Sequence, residues 1–313
     1  MPIHMRAYAG AVDQQCMAQL AQTFPDGNLH VVDLPYRLSS WAFDYPENIG
    51  VWEDESGQML AWAVLQTPFW AVDYAVHPAA YDHSILAEIL AWAGTQAQQI
   101  RDQPNGRPAW FVHVRGDQTA QLREIEQAGF RSIEQDPDAP WSGLYLTRSG
   151  QEPVPGSALP DGFTIRPLAG EREVAAYVDL HRTVFGSPNM TVAWRARTLR
   201  RPEYVPELDL AVAAPDGQLV AFCVCWVVAP GHGSALVGQI EPLGVHPDYQ
   251  HRGLGRAVLL EGLRRLQNRG VAAMIVETDD DRDAAVALYR SARFEVAHKI
   301  LIHRKDAANK EAP

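Results

Sequence analysis

The chain has 313 residues, 47% of them hydrophobic and 21% charged. This composition is typical of a globular protein large enough for two domains, and it excludes a largely disordered chain. The 38 acidic residues outnumber the 27 basic ones, and the formal net charge of -11 disfavours nonspecific binding to nucleic acid or anionic membranes. The same charge suits an amine substrate, although it also serves solubility alone.

The number of cysteines and the length of the apolar runs indicate the cellular compartment of the protein. Three cysteines are too few for a disulfide scaffold, and Cys223 and Cys225 lie in an apolar run as core residues do. The first residues lack the pattern of a signal peptide, and the longest apolar run, residues 219–229, is too short to cross a bilayer. We therefore expect a cytoplasmic protein without a membrane anchor.

In the first half of the chain, residues 49–66 predict a hairpin, residues 72–93 a strand, a turn and a helix, and residues 121–130 another helix. Residues 149–160 contain three prolines and two glycines with no apolar period, which is the composition of a linker. The linker predicts two domains, residues 1–150 and residues 151–313.

The second half predicts a mixed α/β domain. Residues 162–170 read as a strand, residues 171–185 and 192–204 as helices, and residues 208–228 as a hairpin that turns on Asp216-Gly217. Residues 234–245 predict the next strand, and the helix that follows is expected to end near Arg269-Gly270. The strand 271–278, the helix 282–292 and the strand 294–304 complete the order.

The two halves share an outline. Residues 49–66 resemble the later hairpin, residues 72–93 resemble the later strand, turn and helix, and "QLREIEQAGF" resembles "ALYRSARF". The matches keep their order, which indicates two copies of one α/β fold, each with a mixed sheet. The turn of the first copy, "VHPAAYDHSILAEIL", contains neither glycine nor arginine, so we predict that the first domain is degenerate and lacks the loop of the second.

That loop lies within residues 244–263, where a glycine-rich turn enters a leucine-rich helix. A helix N-terminus leaves backbone N–H groups unpaired and attracts phosphate-like anions. Gly253 and Gly255 remove Cβ atoms that would shield this backbone, and Arg252 and Arg256 can add charge-assisted hydrogen bonds. A dinucleotide fingerprint needs glycine or alanine where this chain has Val258, and the ending of a P-loop is absent. The turn therefore predicts a pyrophosphate site.

The motif Gln/Arg-x-x-Gly-x-Gly/Ala is present as Gln250-His251-Arg252-Gly253-Leu254-Gly255, and it resembles the acyl-CoA loop of the GNAT superfamily of N-acyltransferases. The segment "IEPLGVHPDY" is similar to the fourth strand of that family and its bulge, and "VETDDDRDAAVALYRSARFE" is similar to its fifth strand and fourth helix. The resemblance covers about residues 160–305 and, more faintly, the first half. It implies two GNAT-like domains in tandem, with the second one active.

The resemblance implies that acetyl-CoA is the acyl donor. The pyrophosphate is expected on the loop, whose residues are Gln250, His251, Arg252, Gly253, Leu254, Gly255 and Arg256. Backbone groups of Leu243, Gly244 and Val245 are expected to pair with the pantetheine arm, and one of their N–H groups to polarise the thioester carbonyl. An N-acetyltransferase of this kind passes the acetyl group directly to a primary amine in a ternary complex.

Direct transfer needs a base for the amine and an acid for the departing thiolate. Tyr289 matches the family tyrosine that often serves as the acid. Glu241, on the predicted fourth strand, is the first choice for the base, and two-residue alternation places it on the face of Gln239 and Leu243. Glu277 is the rival because it matches a glutamate base of some protein N-terminal acetyltransferases. Either glutamate also fits an ordinary hydrogen-bonded position at a strand end.

Two positions depart from the family pattern. Arg282 stands where the family usually has asparagine, which puts a side-chain contact to pantetheine in doubt. Arg293 replaces the usual glycine before Phe294, so a non-glycine residue must follow the helix at a position that often needs a positive φ.

The partners are predicted in outline only. The acceptor is a small-molecule or peptide amine, and residues 181–204 and the tail after Phe294 are expected to shape its site. Phe185 and Trp194 either line that site or belong to the core. The acidic residues 278–283 lack the spacing of a calcium loop, so we predict no metal. We predict no nucleic-acid or membrane partner. The alternative function is a noncatalytic acyl-CoA-binding or regulatory module.

Overall fold

The computed structural model describes residues 2–136, 140–156, 158–231 and 233–307. The chain divides into two compact units, one comprising Met1–Gly143 with His298–Pro313 and the other Leu144–Ala297. Both units combine helices with a sheet, as the sequence predicts for an α/β fold. Within the described ranges, no helix has both the length and the hydropathy that a bilayer span requires.

The first unit carries a mixed sheet. Its elements are β1 (Ile3–Ala7), α1 (Ala11–Thr23), α2 (Leu34–Arg37), β2 (Ile49–Asp54), β3 (Met59–Gln66), β4 (Ala71–Val76), α3 (Ile85–Ile100), β5 (Ala109–Arg115), α4 (Thr119–Gln127), β6 (Arg131–Ser132) and most of the last strand, β13 (Glu295–Asp306). The strand order is β1-β2-β3-β4-β5-β13. The pair β4 and β5 is parallel, whereas the other neighbours are antiparallel.

The second unit carries a similar sheet. Its elements are β7 (Gly143–Ser149), β8 (Thr164–Pro167), α5 (Val174–Phe185), α6 (Val192–Leu199), β9 (Asp209–Ala213), β10 (Leu219–Val228), β11 (Val237–Val245), α7 (Leu254–Asn268), β12 (Ala273–Asp279) and α8 (Asp283–Ser291). The strand order is β7-β12-β11-β10-β9-β8. Only three residue pairs, between residues 237–239 and 273–275, join the parallel strands β11 and β12.

The units differ from the predicted ranges 1–150 and 151–313 in two strands. β7 precedes the linker in sequence, yet it lies beside β12 in the second sheet, and Gly150 donates its backbone N–H to the carbonyl of Ala272 at 2.8 Å. β13 follows α8, yet Ile300 to Asp306 pair with β5 of the first unit. Each sheet is therefore completed by a strand from outside its predicted range, which the composition of the linker does not reveal.

The helix α7 packs closely on the second sheet. Leu259 and Leu263, which the sequence places on one face of this helix, are both 0% exposed. A Cβ at Gly262 would come within 3.0 Å of the thiols of Cys223 and Cys225. Glycine at this position lets the helix approach β10, and both cysteines serve as the small core residues that the sequence predicts.

The two units also repeat a specific ion pair. Arg6 of β1 binds both carboxylate oxygens of Asp13 in α1, at 2.7 Å each. Arg166 of β8 binds both carboxylate oxygens of Glu173, seven residues later, at 2.8 and 2.5 Å. In each unit the acidic residue also accepts the backbone N–H of the residue four positions before it. The recurrence of this contact at the same spacing confirms the duplication.

Candidate functional site

The predicted pyrophosphate loop connects β11 to α7. His246 opens a short 3₁₀ turn, and its Nδ1 accepts a backbone N–H two residues later at 3.2 Å. The backbone has φ values of 58° at His251 and 81° at Gly253, which turn the chain into α7 at Leu254. Ala257 donates its N–H to the carbonyl of Gly253 at 2.9 Å. Helix geometry leaves the three N–H groups before Ala257 without an intrahelical partner, so they can bind an anion.

The two glycines of the loop act differently. A Cβ at Gly253 would meet no atom within 4 Å, so this position needs glycine for its positive φ. A Cβ at Gly255 would lie 3.1 Å from Cγ2 of Val245, so this position needs glycine for space. Gly253 sets the direction of the loop, and Gly255 lets the start of α7 approach the strand that pantetheine is expected to follow.

The long side chains of the loop brace it. Arg252 donates to a backbone carbonyl of the preceding turn at 3.1 Å, and its guanidinium lies 5.0 Å from the ring centroid of Tyr249. Arg256 donates to the carbonyl of Gly156 at 3.3 Å. Gln250 donates to the end of β11 at 3.4 Å. Because these side chains support the loop, the groups left available for an anion are chiefly the backbone N–H groups at the start of α7.

A groove of about 590 Å³ runs past the loop. It brings together the predicted acetyl-CoA residues Leu243, Gly244, Val245, Gln250, His251, Gly253, Leu254, Gly255 and Arg256. The remaining predicted residue, Arg252, is exposed and does not line the groove. Other parts of the wall come from α5, through Val184 and Phe185, and from the start of α8 with Arg282 before it. Arg282, which departs from the family asparagine, therefore places a cation on the groove.

A bulge interrupts β11 beside this groove. Leu243 lies opposite Cys223 of β10, whereas Ile240 lies opposite Cys225, so β11 has one extra residue in this interval. Glu241 lies in the bulge. The bulge confirms the fourth-strand irregularity that the resemblance implies, and β11 pairs with β12 only before it.

The bulge also corrects the placement of Glu241. Ile240 and Leu243 are three residues apart, yet both pack in the core around α7. Regular alternation would put them on opposite faces. The sequence argument that Glu241 shares a face with both Gln239 and Leu243 was therefore wrong, because the extra residue reverses the alternation between them.

Glu241 and Tyr289 are close enough for the charge of one to act on the other. Tyr289 of α8 is 6% exposed and meets Phe294 edge to face, with ring centroids 6.0 Å apart. Burial, and next the carboxylate of Glu241, raises the pKa of Tyr289 well above its ordinary value. Glu241 is half-buried, and its backbone carbonyl accepts the indole N–H of Trp226 at 2.7 Å. The phenol therefore keeps its proton at neutral pH beside a carboxylate.

Glu277 occupies the neighbouring strand. It is half-buried and lies two residues beyond Ile275, the last residue of β12 that pairs with β11. The structure thus places Glu277 and Glu241 on the diverging parts of two adjacent strands. Neither glutamate lines the groove described above, and Tyr289 does not line it either.

Arg293 has a φ of 66°, so the position after α8 is left-handed, as the sequence predicts from the usual glycine. Its N–H donates to the carbonyl of Arg290 at 2.9 Å, and its guanidinium pairs with Glu152. A non-glycine residue in this conformation costs about 1–2 kcal/mol. The helix end is therefore formed in spite of the substitution.

Sequence reasoning did not include Tyr177 of α5 and did not single out His181, which opens the predicted acceptor range 181–204. Tyr177 is 0% exposed and His181 is 8% exposed, and both belong to a stripe at four-residue spacing that ends at Phe185. Of the two aromatic residues proposed for the acceptor site, Phe185 lines the groove and Trp194 is 1% exposed in the core. The spacing of the stripe was the available signal, but core packing explains such spacing equally well.

Residues 175–294 match the family model described as Acetyltransferase (GNAT) family. This segment begins in α5, ends after α8 and includes the loop, the bulge and the groove. The second unit therefore contains a segment that matches the GNAT family of acetyltransferases. Acetyl-CoA is the donor that this family uses, and the matched segment includes the residues that line the groove.

Proteins named mycothiol acetyltransferase are similar in sequence. The protein from Arthrobacter sp. (strain FB24) is 32% identical over 157 residues, which cover 48% of each chain. The protein from Kocuria rhizophila is 28% identical over 242 residues, which cover 75% of each chain. The alignment with the Arthrobacter protein thus spans about half of its length.

Solved structures show that the whole chain has a tandem GNAT fold. A tandem GNAT protein from the clavulanic acid biosynthesis pathway superposes with a TM-score of 0.65 at 12% identity, covering 99% of this chain and all of the other. A GCN5-related N-acetyltransferase from Sphaerobacter thermophilus gives a TM-score of 0.63 at 22% identity, covering 98% and 96%. The predicted architecture of two GNAT-like domains is confirmed.

Proposed function

We propose that the chain transfers an acetyl group from acetyl-CoA to a primary amine by direct attack in a ternary complex, with the chemistry in the second unit. The observation that carries the proposal is the groove, because the start of α7 directs unpaired N–H groups to it and the bulged end of β11 lines it. The pyrophosphate binds the N–H groups at the start of α7. The pantetheine arm follows Leu243, Gly244 and Val245.

The proposed reaction forms one bond and breaks one. The amine nitrogen attacks the thioester carbonyl carbon, the C–S bond breaks, Glu241 receives the amine proton, and Tyr289 gives its proton to the thiolate. The raised pKa of Tyr289 keeps the phenol protonated, so that its O–H can hydrogen-bond to the departing thiolate and give up the proton as the C–S bond breaks. Glu277 is the second candidate base. The electrostatic effect of Glu241 on Tyr289 supports Glu241.

Thiol release tests the proposal. Purified chain is mixed with acetyl-CoA and a panel of amines that includes the acceptor of the mycothiol acetyltransferases, and CoA binding is measured in parallel by calorimetry. We expect thiol release that depends on the amine, and one CoA bound per chain. Binding without turnover on any amine would favour the noncatalytic acyl-CoA-binding module instead.

Paired substitutions separate the two candidate bases. We expect Glu241→Gln to lower kcat/KM by about 100-fold or more and to remove the acidic limb of the pH profile, because a general base contributes roughly 10²–10⁴-fold. Glu277→Gln is the matched variant, with a much smaller expected effect. Wild-type kcat/KM in Glu241→Gln from about pH 6 to 9, together with a loss in Glu277→Gln, would reverse the assignment.

The proposed acid has its own control. Tyr289→Phe removes one hydroxyl, and we expect kcat to fall by about 100-fold with an unchanged Kd for CoA. Tyr74→Phe removes a buried hydroxyl from β4 of the first unit, where burial also raises the pKa of the phenol. We expect Tyr74→Phe to keep wild-type kcat. Equal losses in the two variants would indicate a structural role for Tyr289.

A further inference from the structure

An aromatic stripe on α5 leads inward from the wall of the groove. Tyr177, His181 and Phe185 lie four residues apart, and their ring centroids are 5.1, 5.7 and 6.2 Å from that of Phe222 in β10. Phe185 lines the groove, and the ring of His181 is its neighbour at 4.6 Å. The stripe therefore connects the groove with the interior beside β10.

Two buried polar atoms on this stripe make no hydrogen bond within the part of the chain that the structure describes. They are the hydroxyl oxygen of Tyr177 and Nδ1 of His181, on rings whose centroids are 6.0 Å apart. A buried polar group without a partner is destabilising, and native proteins contain few of them. Two such groups one helical turn apart, next to the ring on the groove wall, indicate a place where a ligand group binds.

The charges around the stripe define the chemistry of that ligand group. The guanidinium of Arg195 lies 3.8 Å from the ring centroid of Tyr177 and pairs with the buried Asp209. Burial, followed by the charges of Arg195 and Arg182, lowers the pKa of His181 to about 3, so the imidazole is neutral at physiological pH. The stripe therefore offers a phenol and a neutral imidazole, which bind uncharged hydroxyl or amide groups.

The stripe is also close to the proposed base. The carboxylate of Glu241 is one of the charges that raise the pKa of Tyr177, after burial and Asp209 and against the opposing effect of Arg195. The polar stripe and the proposed base thus belong to the same part of the second unit.

We propose that Tyr177 and His181 form an acceptor subsite that binds an uncharged hydroxyl or amide group a few bonds from the reacting amine. The assignment rests on the proposed acetyl transfer and concerns specificity, since neither residue takes part in proton transfer. It narrows the acceptor class from primary amines in general to amines that carry a neutral hydrogen-bonding group. Amines with only alkyl substituents are the poorer substrates.

Matched acceptors test the subsite. The probes are 2-aminoethanol and propylamine, which differ by a hydroxyl in place of a methyl group, and the quantity measured is the ratio of their kcat/KM values in each variant. We expect Tyr177→Phe and His181→Gln to lower this ratio by about five- to tenfold, because one hydrogen bond contributes roughly 1 kcal/mol. The KM for acetyl-CoA is expected to stay unchanged.

The control is Tyr204→Phe. Tyr204 belongs to the same unit, but its hydroxyl already donates to Asp209 at 2.7 Å. This substitution is expected to leave the ratio at its wild-type value, even if it lowers stability. An unchanged ratio in both subsite variants, or an equal change in Tyr204→Phe, would overturn the proposal.

A second readout works without turnover. The imidazole ¹⁵N signals of the CoA-saturated protein, assigned with His181→Gln, are followed during titration with the same two amines. We expect 2-aminoethanol to shift the His181 signal and propylamine to leave it in place. If no amine is acetylated but the signal shifts, the proposed function fails and the subsite remains; if amines are acetylated and the signal does not respond, the subsite fails alone.

Discussion

The two units hold different residues at the same place in their sheets. In the first unit, Val64 of β3 pairs with Asp73 of β4, and the pairing runs without interruption from Ala61 to Gln66. In the second unit, β10 and β11 pair one residue to one residue except opposite Val224 of β10. There β11 has an extra residue, and the bulge contains Glu241. The same position therefore carries an aspartate in a regular strand and a glutamate in a bulged one.

Asp73 and Glu241 both carry a carboxylate, but the surroundings of the two groups differ. Asp73 is buried and accepts two hydrogen bonds from Arg37, at 2.7 and 2.8 Å. Burial alone would raise the pKa of Asp73, but the charge and the hydrogen bonds of Arg37 lower it below the ordinary value. Glu241 is only half-buried beside the groove. Asp73 is thus a buried partner of Arg37, whereas Glu241 lies in a more exposed position, where we propose that it acts as the base.

The adjacent strand and the following turn show the same divergence. Phe111 of β5 pairs with β4, and Ile275 of β12 pairs with β11 at the equivalent place in the second sheet. Two residues further along each strand, His113 of the first unit therefore corresponds to Glu277 of the second. The helix after β4 begins behind Ser84, with a φ of 55°, and not behind a glycine. One fold thus supports a groove in one copy and a buried ion pair in the other, and the degenerate character of the first unit remains our proposal.

The largest expected effect separates the two carboxylates. Asp73→Asn leaves Arg37 with an uncompensated buried charge, so we expect it to lower the free energy of unfolding by about 3–5 kcal/mol. Glu241→Gln is expected to change stability by less than about 1 kcal/mol while it lowers kcat. Urea denaturation of the full chain and initial rates with acetyl-CoA measure both quantities. Similar stability losses in the two variants would show that the two carboxylates contribute equally to the fold and would contradict the proposed difference between them.

The second effect concerns the two turns. We expect Gly255→Val to raise the Kd for CoA by about 100-fold, equivalent to roughly 2.7 kcal/mol, because a Cβ there is already within 3.1 Å of Val245 and the larger side chain displaces the start of α7. Ser84→Val, at the start of the corresponding helix, is the matched control and should leave the Kd unchanged. Calorimetry measures both values, and a comparable loss in Ser84→Val would show that the first unit also binds CoA.

The sequence predicted the pyrophosphate loop because its evidence is local. Gly253 and Gly255 determine the backbone of the loop through their own φ and size, so a short motif carries the prediction. The sequence did not predict that β7 joins the second sheet and β13 the first. The partners of these strands are more than 100 positions away in sequence, and no local pattern identifies them. The bulge at Glu241 shifted the predicted face for a similar reason, because the pairing with β10 decides where an extra residue is placed.

Each unit contains a buried histidine that makes stability depend on pH, and the expected change in stability is of intermediate size. The pKa of His181 is lowered to about 3, and so is that of His113, chiefly by burial. A histidine with a depressed pKa in the folded state stabilises the fold above its unfolded pKa of about 6.5, and this stability is lost as the pH falls toward 3. At about pH 5 the loss reaches up to roughly 2 kcal/mol per histidine.

Histidine variants check this effect. Between about pH 7 and pH 5, His181→Gln and His113→Gln should each lose less stability than the wild type, by up to about 2 kcal/mol. Urea denaturation at each pH gives the difference. A variant whose stability falls as steeply as that of the wild type would show that the histidine it replaces is protonated in the folded chain.

The smallest expected effect concerns the hairpin glycines, which the two copies have in common. The hairpin glycines Gly57 and Gly217 have φ values of 81° and 89°, and a Cβ at either would meet no atom within 4 Å. Alanine therefore costs only the backbone strain of a positive φ, about 1–2 kcal/mol in each unit. Asparagine tolerates this conformation better, so Gly57→Asn and Gly217→Asn should each cost less than the alanine variants. We expect equal losses in the free energy of unfolding at the two positions because neither hairpin lines the groove. A loss at Gly217 more than twice that at Gly57 would mean that the two copies differ in their hairpins as well as in the groove.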